Sequence, residues 1–377
     1  MLSTMMKQIQ RPTILGSYPP EDVTFLLKDL SEFNLEIGTE DREEAIQNGR
    51  HYSEMLPIEY KPSNEYIQLF HKLLRDNARQ VASAVATVAE LIFREHGSIT
   101  VLASLARAGT PIGILIKRYL KMVHSVDLPH YSISIIRGKG IDENALIYML
   151  QQHPDHEIQF VDGWTGKGAI RQVLIKSVLE FNQQYKTSLS HDLAVLADPG
   201  ECVNTFGTRK DFVIPSSCLN STVSGLLSRT VIRNDLIENH EFHGVKFYKD
   251  WGKDDLSQLF VETICAYFYS VTEESSRLAL GYLECPDQRS DTWKGTKDLQ
   301  AIQKEFNIRD INLIKPGVGE TTRVLLRRVP WKIIVNDKEN TDLKHILVLA
   351  RERGVEIVVN TKLAYACCGI IKPLHDE

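Results

Sequence analysis

A chain of 377 residues with 43% apolar and 25% charged residues is longer than one hydrophobic core usually organises, so two domains are expected. No run of eighteen apolar residues occurs and the start lacks a secretory signal's apolar stretch, so a cytoplasmic protein away from membranes is expected; six cysteines without a CxxC pair argue against a disulfide framework or a zinc ribbon. The net charge of -5 is uneven, since 296–377 carries +3 and the preceding residues -8, which hints at a polyanion partner for the tail alone.

Residues 1 to about 75 are broken by Gly16, Pro19-Pro20, Gly49, Pro57 and Pro62 and read as an irregular lead-in. From Glu65 to Arg94 apolar residues recur at three- and four-residue steps, which predicts a long amphipathic helix. Short apolar runs follow at 98–103, 130–136, 156–161 and 192–197, with helical stretches at 111–123, 142–152 and 167–184 between them. Strands alternating with helices predict an α/β fold with a parallel sheet flanked by helices, whose ligands sit at the carboxyl ends of the strands. A polar connection from Leu283 to Lys297 divides the chain into 1–285 and 296–377. The tail then runs helix 298–306, strand 310–315, helix 319–328, strand 331–336, helix 341–353, strand 355–359 and helix 361–368, a small α/β/α sandwich.

One strand-end loop stands out: Asp162-Gly163-Trp164-Thr165-Gly166-Lys167-Gly168 turns from an apolar strand into a helix. Gly166 and Gly168 permit close backbone approach, Thr165 offers a hydroxyl and the helix its positive end, together a cradle for phosphate. Lys167 adds a cation and Asp162 can accept from ribose hydroxyls. The spacing is not that of the nucleotide-triphosphatase loop, and an ordinary tight turn is the plain alternative. Two further strand ends carry Arg107-Ala108-Gly109-Thr110 and Arg137-Gly138-Lys139-Gly140, where Arg107 and Lys139 are either site residues or solvated loop cations.

Ile158 to Asp162 followed by Thr165-Gly166-Lys167-Gly168-Ala169 resembles the phosphoribosyltransferase signature, with Gly163 where a second acid is usual. The resemblance implies a phosphoribosyltransferase-like fold and a transferase using phosphoribosyl pyrophosphate, or a nucleotide-like substrate, with Mg2+ bound through the pyrophosphate. It makes Asp162, Arg107 and Lys139 catalytic and Ala108, Gly109, Thr110, Arg137, Gly163, Thr165, Gly166, Lys167 and Gly168 substrate-binding. With His51 to Pro57 and Ile214 to Gly225 added, the chain resembles bacterial proteins encoded with tellurium- and stress-resistance genes, some labelled cysteine protease StiP. That label directs attention to Cys218, after Pro215-Ser216-Ser217 at an expected helix start, with His240 and His243 downstream; a buried core cysteine is the alternative. The tail, through Lys315-Pro-Gly317-Val-Gly319-Glu320-Thr-Thr322-Arg323 and Lys362 to Gly369, resembles the RNA-binding domain of Pelota and kink-turn-binding ribosomal proteins, with Gly319 in place of Asn and Arg323 in place of Lys. It implies binding of structured RNA through Gly317, Gly319, Glu320, Thr322 and Arg323; a docking module is the alternative. A homodimer is compatible with all of this.

Overall fold

The computed structural model describes residues 9–38, 41, 45, 48–59 and 61–372; the first residues of the lead-in, the last five residues and the side chain of Arg327 lie outside the described part. The predicted long helix is α1 (Asn64–His96), which buries Phe70, Leu74, Ala78, Val81 and Val85 along one side. Gly97 at φ 65° ends it, its N–H donating to the Phe93 carbonyl, a left-handed stop that suits glycine.

Among the described residues the central sheet has six strands, all parallel where they pair: β1 (Thr24–Phe25), β2 (Thr100–Leu105), β3 (His130–Ile133), β4 (Glu157–Trp164), β5 (Leu193–Ala197) and β6 (Thr205–Thr208). Their spatial order is β1-β3-β2-β4-β5-β6. Side chains alternate across it. Leu102, Val161, Ala194 and Leu196 face α1, α2 (Thr110–His124), α5 (Ser257–Cys265) and α6 (Phe268–Glu284). Val101, Ala103, Phe160 and Val195 face α3 (Glu143–Gln152) and α4 (Ala169–Tyr185). This period of two, buried on both faces, is why the strands read as continuous apolar runs. α1 comes very close to β6, where a Cβ on Gly207 would lie 2.5 Å from the Ala84 carbonyl oxygen. The strand order reverses between β2 and β4, so the loops after those two strands open onto one crevice.

The tail begins with α7 (Lys294–Glu305) and continues through β7 (Ile314–Pro316), α8 (Val318–Arg327), β8 (Pro330–Val335), α9 (Lys344–Glu352), β9 (Glu356–Val359) and β10 (Cys367–Ile371), in sheet order β7-β10-β8-β9. The helix expected at 361–368 is a correction: Cys367–Ile371 is a buried strand paired antiparallel with both β7 and β8. Gly369 lets α8 sit on it, since a Cβ there would meet Val324 Cβ at 3.2 Å. One tail core is its own, built on Leu299, Ile302, Ile334 and Tyr365. The other is shared with the body, because Leu73, Val213 and Cys218 pack with Val318, Leu325 and Ile346.

Candidate functional site

The loop after β4 is more occupied by its own protein than its sequence suggests. Asp162 Oδ1 accepts from the Gly163 N–H at 2.8 Å, and burial pushes this carboxyl up to about 7. The Thr165 hydroxyl donates to buried Asp198, and the Gly166 carbonyl accepts from Tyr365 at 3.0 Å. Gly168, at φ 72°, opens α4 with the Trp293 ring against it. Lys167 Nζ reaches Asn312 Oδ1 at 2.8 Å, and burial, then Lys315 and Arg137, bring its pKa down to about 8. Asp162, Lys167, Arg137, Lys315 and Glu320 line a cavity of about 240 Å³.

Arg137 joins that cavity from its own strand end, but Arg107, Ala108, Gly109, Thr110 and Lys139 do not line it. Arg107 Nη1 donates to the Leu227 carbonyl at 2.7 Å, with Glu59 Oε1 3.5 Å from Nη2. It lines a separate, larger cleft of about 710 Å³ between body and tail. Ala108 borders a third, small cavity beside Trp164 and Asn220. Gly109 is pressed so close that a Cβ would lie 2.5 Å from the Val161 carbonyl, and Thr110 is buried with its hydroxyl 2.7 Å from Ser132 Oγ, so both serve packing. The Arg137 N–H donates to the Tyr52 phenol oxygen at 2.9 Å from a small hairpin of Ile135–Ile136 and Gly140–Ile141. Lys139, in the same turn, lines none of these three spaces. Asp162, Arg107 and Lys139, which the resemblance makes catalytic, therefore do not line one cavity.

In the tail, the turn expected to face RNA faces the body. Asp211 Oδ1 accepts from the Val318 N–H at 3.0 Å and Oδ2 from the Ala366 N–H at 2.9 Å, so a carboxylate occupies the start of α8 where a phosphate was expected. Burial raises Asp211 to about 6. Gly317 lies against that carboxyl, and a Cβ on Gly319 would come within 3.0 Å of Ser217 Oγ. The asparagine that stands there in the kink-turn-binding proteins would thus press on Ser217. Thr322 is buried, its hydroxyl donating to the Val318 carbonyl at 2.7 Å with His345 Nε2 3.0 Å away. Arg323 donates to the Ser217 carbonyl at 2.7 Å and to Glu320 at 2.8 Å, with its guanidinium 5.5 Å from the Trp164 ring centre. Glu320 remains on the cleft wall. Asp211 was missed because its role is set by a residue over one hundred positions away, with no local motif to mark it.

Cys218 ends a single 3-10 turn, Pro215–Cys218, rather than starting an α-helix, so the expected helix dipole is missing. It is 1% exposed, packed under Val318 and Ile346. Its chain neighbours border small cavities, Ser217 one of about 10 Å³ and Ser216 and Asn220 one of about 30 Å³. Of the expected histidines, His243 has Nδ1 2.8 Å from Ser134 Oγ, and His240 is an exposed partner of Glu238. His345, which sequence reasoning passed over, sits beside Ile346 of the cluster that holds Cys218, and burial lowers it to about 4. Burial also pushes Cys202 up to about 12, Cys265 to about 11, and Cys367 and Cys368 well above the usual thiol range. Cys285 is exposed at the far end of α6. Among the described residues no cluster of three or more His, Cys, Asp or Glu is arranged to hold a metal ion, and no helix is long and apolar enough to cross a membrane.

Residues 16–265 match the family model described as tellurite-like stress resistance cysteine protease StiP, and 293–373 match the PELOTA RNA binding domain. The chain is 32% identical over 372 residues to "Cysteine protease StiP" of Acinetobacter baylyi (strain ATCC 33305 / BD413 / ADP1), covering 95% of this chain and 94% of the relative. Among solved structures, that of a NifS-like protein from Rickettsia africae ESF-5 covers 94% of each chain at 10% identity, with a TM-score of 0.19 that carries no argument. These matches correct the expected enzyme: the family and the relative are named cysteine proteases, not phosphoribosyltransferases. Phosphoribosyl transfer falls with that finding, and the Mg2+ expected with its pyrophosphate loses its premise.

Proposed function

Because the chain belongs to the StiP family, we propose that it is a cysteine peptidase with Cys218 as the nucleophile. The observation that supports the choice of thiol is placement: Cys218 packs at the contact between body and tail, and its neighbours Ser217, Ser216 and Asn220 border small cavities of about 10 and 30 Å³ there. Two of the other buried thiols carry a further penalty from neighbouring carboxylates. Cys202 and Cys368 have raised pKa values through burial with Asp198 and Asp211 adding to it, which disfavours the thiolate that attacks.

In this reading the Cys218 sulfur attacks the scissile carbonyl carbon, the thiol proton passes to the departing amine, and a thioester forms. Water then hydrolyses the thioester, releasing the acid and restoring the thiol. The thiol is covered by α8 in this arrangement, so substrate entry requires the tail to lift from the Pro215–Cys218 turn. The division into a body ending near 285 and a tail from 296 belongs to the same proposal, as does RNA as the tail's partner, supported by the PELOTA match.

The test is release of labelled peptides from casein by the full chain. Cys218→Ala is expected to lower turnover by at least a hundredfold, while Cys285→Ala leaves it intact. Undiminished hydrolysis by Cys218→Ala would sink the assignment.

A further inference from the structure

The PELOTA match assigns RNA to the tail alone, yet the start of α8 is already occupied by Asp211 of the body. RNA must therefore meet another surface or displace that contact. The cleft of about 710 Å³ between the modules supplies such a surface. Its described lining holds six cations, Lys61, Arg107 and Arg229 from the body and Lys315, Arg323 and Arg328 from the tail, against two carboxylates, Glu59 and Glu320. In a chain of net charge -5, a groove with that excess of positive charge is a local construction. It is also costly. Burial lowers Lys315, Glu320 opposes this in part, and Arg137 and Arg328 add to the lowering, so an incoming anion would relieve it. Tyr66 adds an aromatic ring to the wall, fixed by its hydroxyl donating to the Leu326 carbonyl at 2.5 Å.

We propose that this cleft binds a single-stranded segment of RNA, with phosphates against Arg107 and Arg229 on one side and Lys315 and Arg328 on the other, so that the body forms half of the RNA site. A positively charged groove carrying an aromatic platform is the chemistry that holds single strands, whereas the turn that would grip a folded RNA motif is closed by Asp211. The inference is independent of the peptidase reading, since no step of it uses Cys218.

Fluorescence anisotropy on the full chain tests it, with a labelled twelve-nucleotide single-stranded RNA and a kink-turn RNA as probes. Arg229→Glu on the body and Arg328→Glu on the tail are each expected to weaken single-strand binding about tenfold or more, and to flatten the dependence of log affinity on log salt by about 0.7 per lost phosphate contact. Lys61→Gln, a neutral change at an exposed side chain whose ammonium pairs with Asp254, gives a second body variant. It is expected to weaken binding in the same direction. Cys218→Ala is expected to bind RNA normally even if it abolishes hydrolysis, so the two readings fail separately. Body variants that bind as the parent does, a kink-turn RNA held more tightly than the single strand, or tighter binding on Asp211→Ala would each overturn the composite site, as would no binding of either RNA.

Discussion

Two glycine-bearing turns lead from a strand into a helix in this protein, and their fates differ. The turn at 162–168 keeps a cavity in front of it, with Lys167, Arg137 and Lys315 gathered there. The turn at 317–320 is sealed, because Asp211 accepts its Val318 N–H and Ser217 closes on Gly319. Both carry the same local recipe of glycine followed by the positive end of a helix. What separates them is the element packed opposite: the first faces cations, the second a carboxylate that has taken the place of a ligand. A helix start thus offers an anion site only where tertiary structure leaves it empty.

The largest effect is expected from breaking the sealed turn. Asp211→Ala leaves the buried N–H groups of Val318 and Ala366 without their acceptor, a loss of about 3 kcal/mol in chemical denaturation at pH 5, where the carboxyl's own burial cost is largely relieved by protonation. A variant as stable as the parent would mean that the seal contributes nothing. At the open turn, Gly168→Ala places a methyl 2.4 Å from the Trp293 ring at a φ of 72°, with an expected cost of about 2 kcal/mol in the same assay. An unchanged midpoint would show that Trp293 yields freely.

A smaller effect comes from pH. Asp162 and Asp211 have folded pKa values of about 7 and about 6, above the 3.8 of an exposed aspartate, so the folded state binds protons more tightly than the unfolded one. Their contribution to stability therefore rises as pH falls from about 7 towards 4 and is lost as pH rises through the folded values, by at most about 1.4 kcal/mol per pH unit for each group. Asp162→Asn should remove its share of that slope. Melting curves at pH 7.5 and 5.5 that shift equally in the variant and the parent would contradict the burial argument.

The sequence made the scaffold legible where pattern and burial agree. The apolar steps of 65–94 and the runs at 156–161 and 192–197 become α1, β4 and β5 because each is buried along the face or faces that its periodicity implies. Cys367–Ile371 defied that reading, since five residues of small and apolar character suit a helix or a strand equally and pairing on both sides decides the matter. Site residues were less legible. Thr165 and Thr322 look like ligand hydroxyls in the sequence, yet both are consumed by internal hydrogen bonds, and Arg107 opens onto a different space from Asp162. Thr322 bonds back one helical turn to Val318, but the partners of Thr165 and Arg107 lie 33 and 120 residues away, where no spacing rule reaches. The expected phosphoribosyl chemistry rested on one loop's resemblance, and the family and relative matched over most of the chain bear a different name.

The central claim, that Cys218 is the working thiol, is tested most directly by trapping it. The full chain is treated during turnover with an epoxide-bearing peptide that alkylates thiolates in cysteine peptidases, and the modified cysteine is mapped by mass spectrometry. The account predicts that alkylation of Cys218 advances in step with loss of hydrolysis and that Cys218→Ala retains neither. Loss of hydrolysis with Cys218 unmodified and another cysteine alkylated in proportion would contradict it.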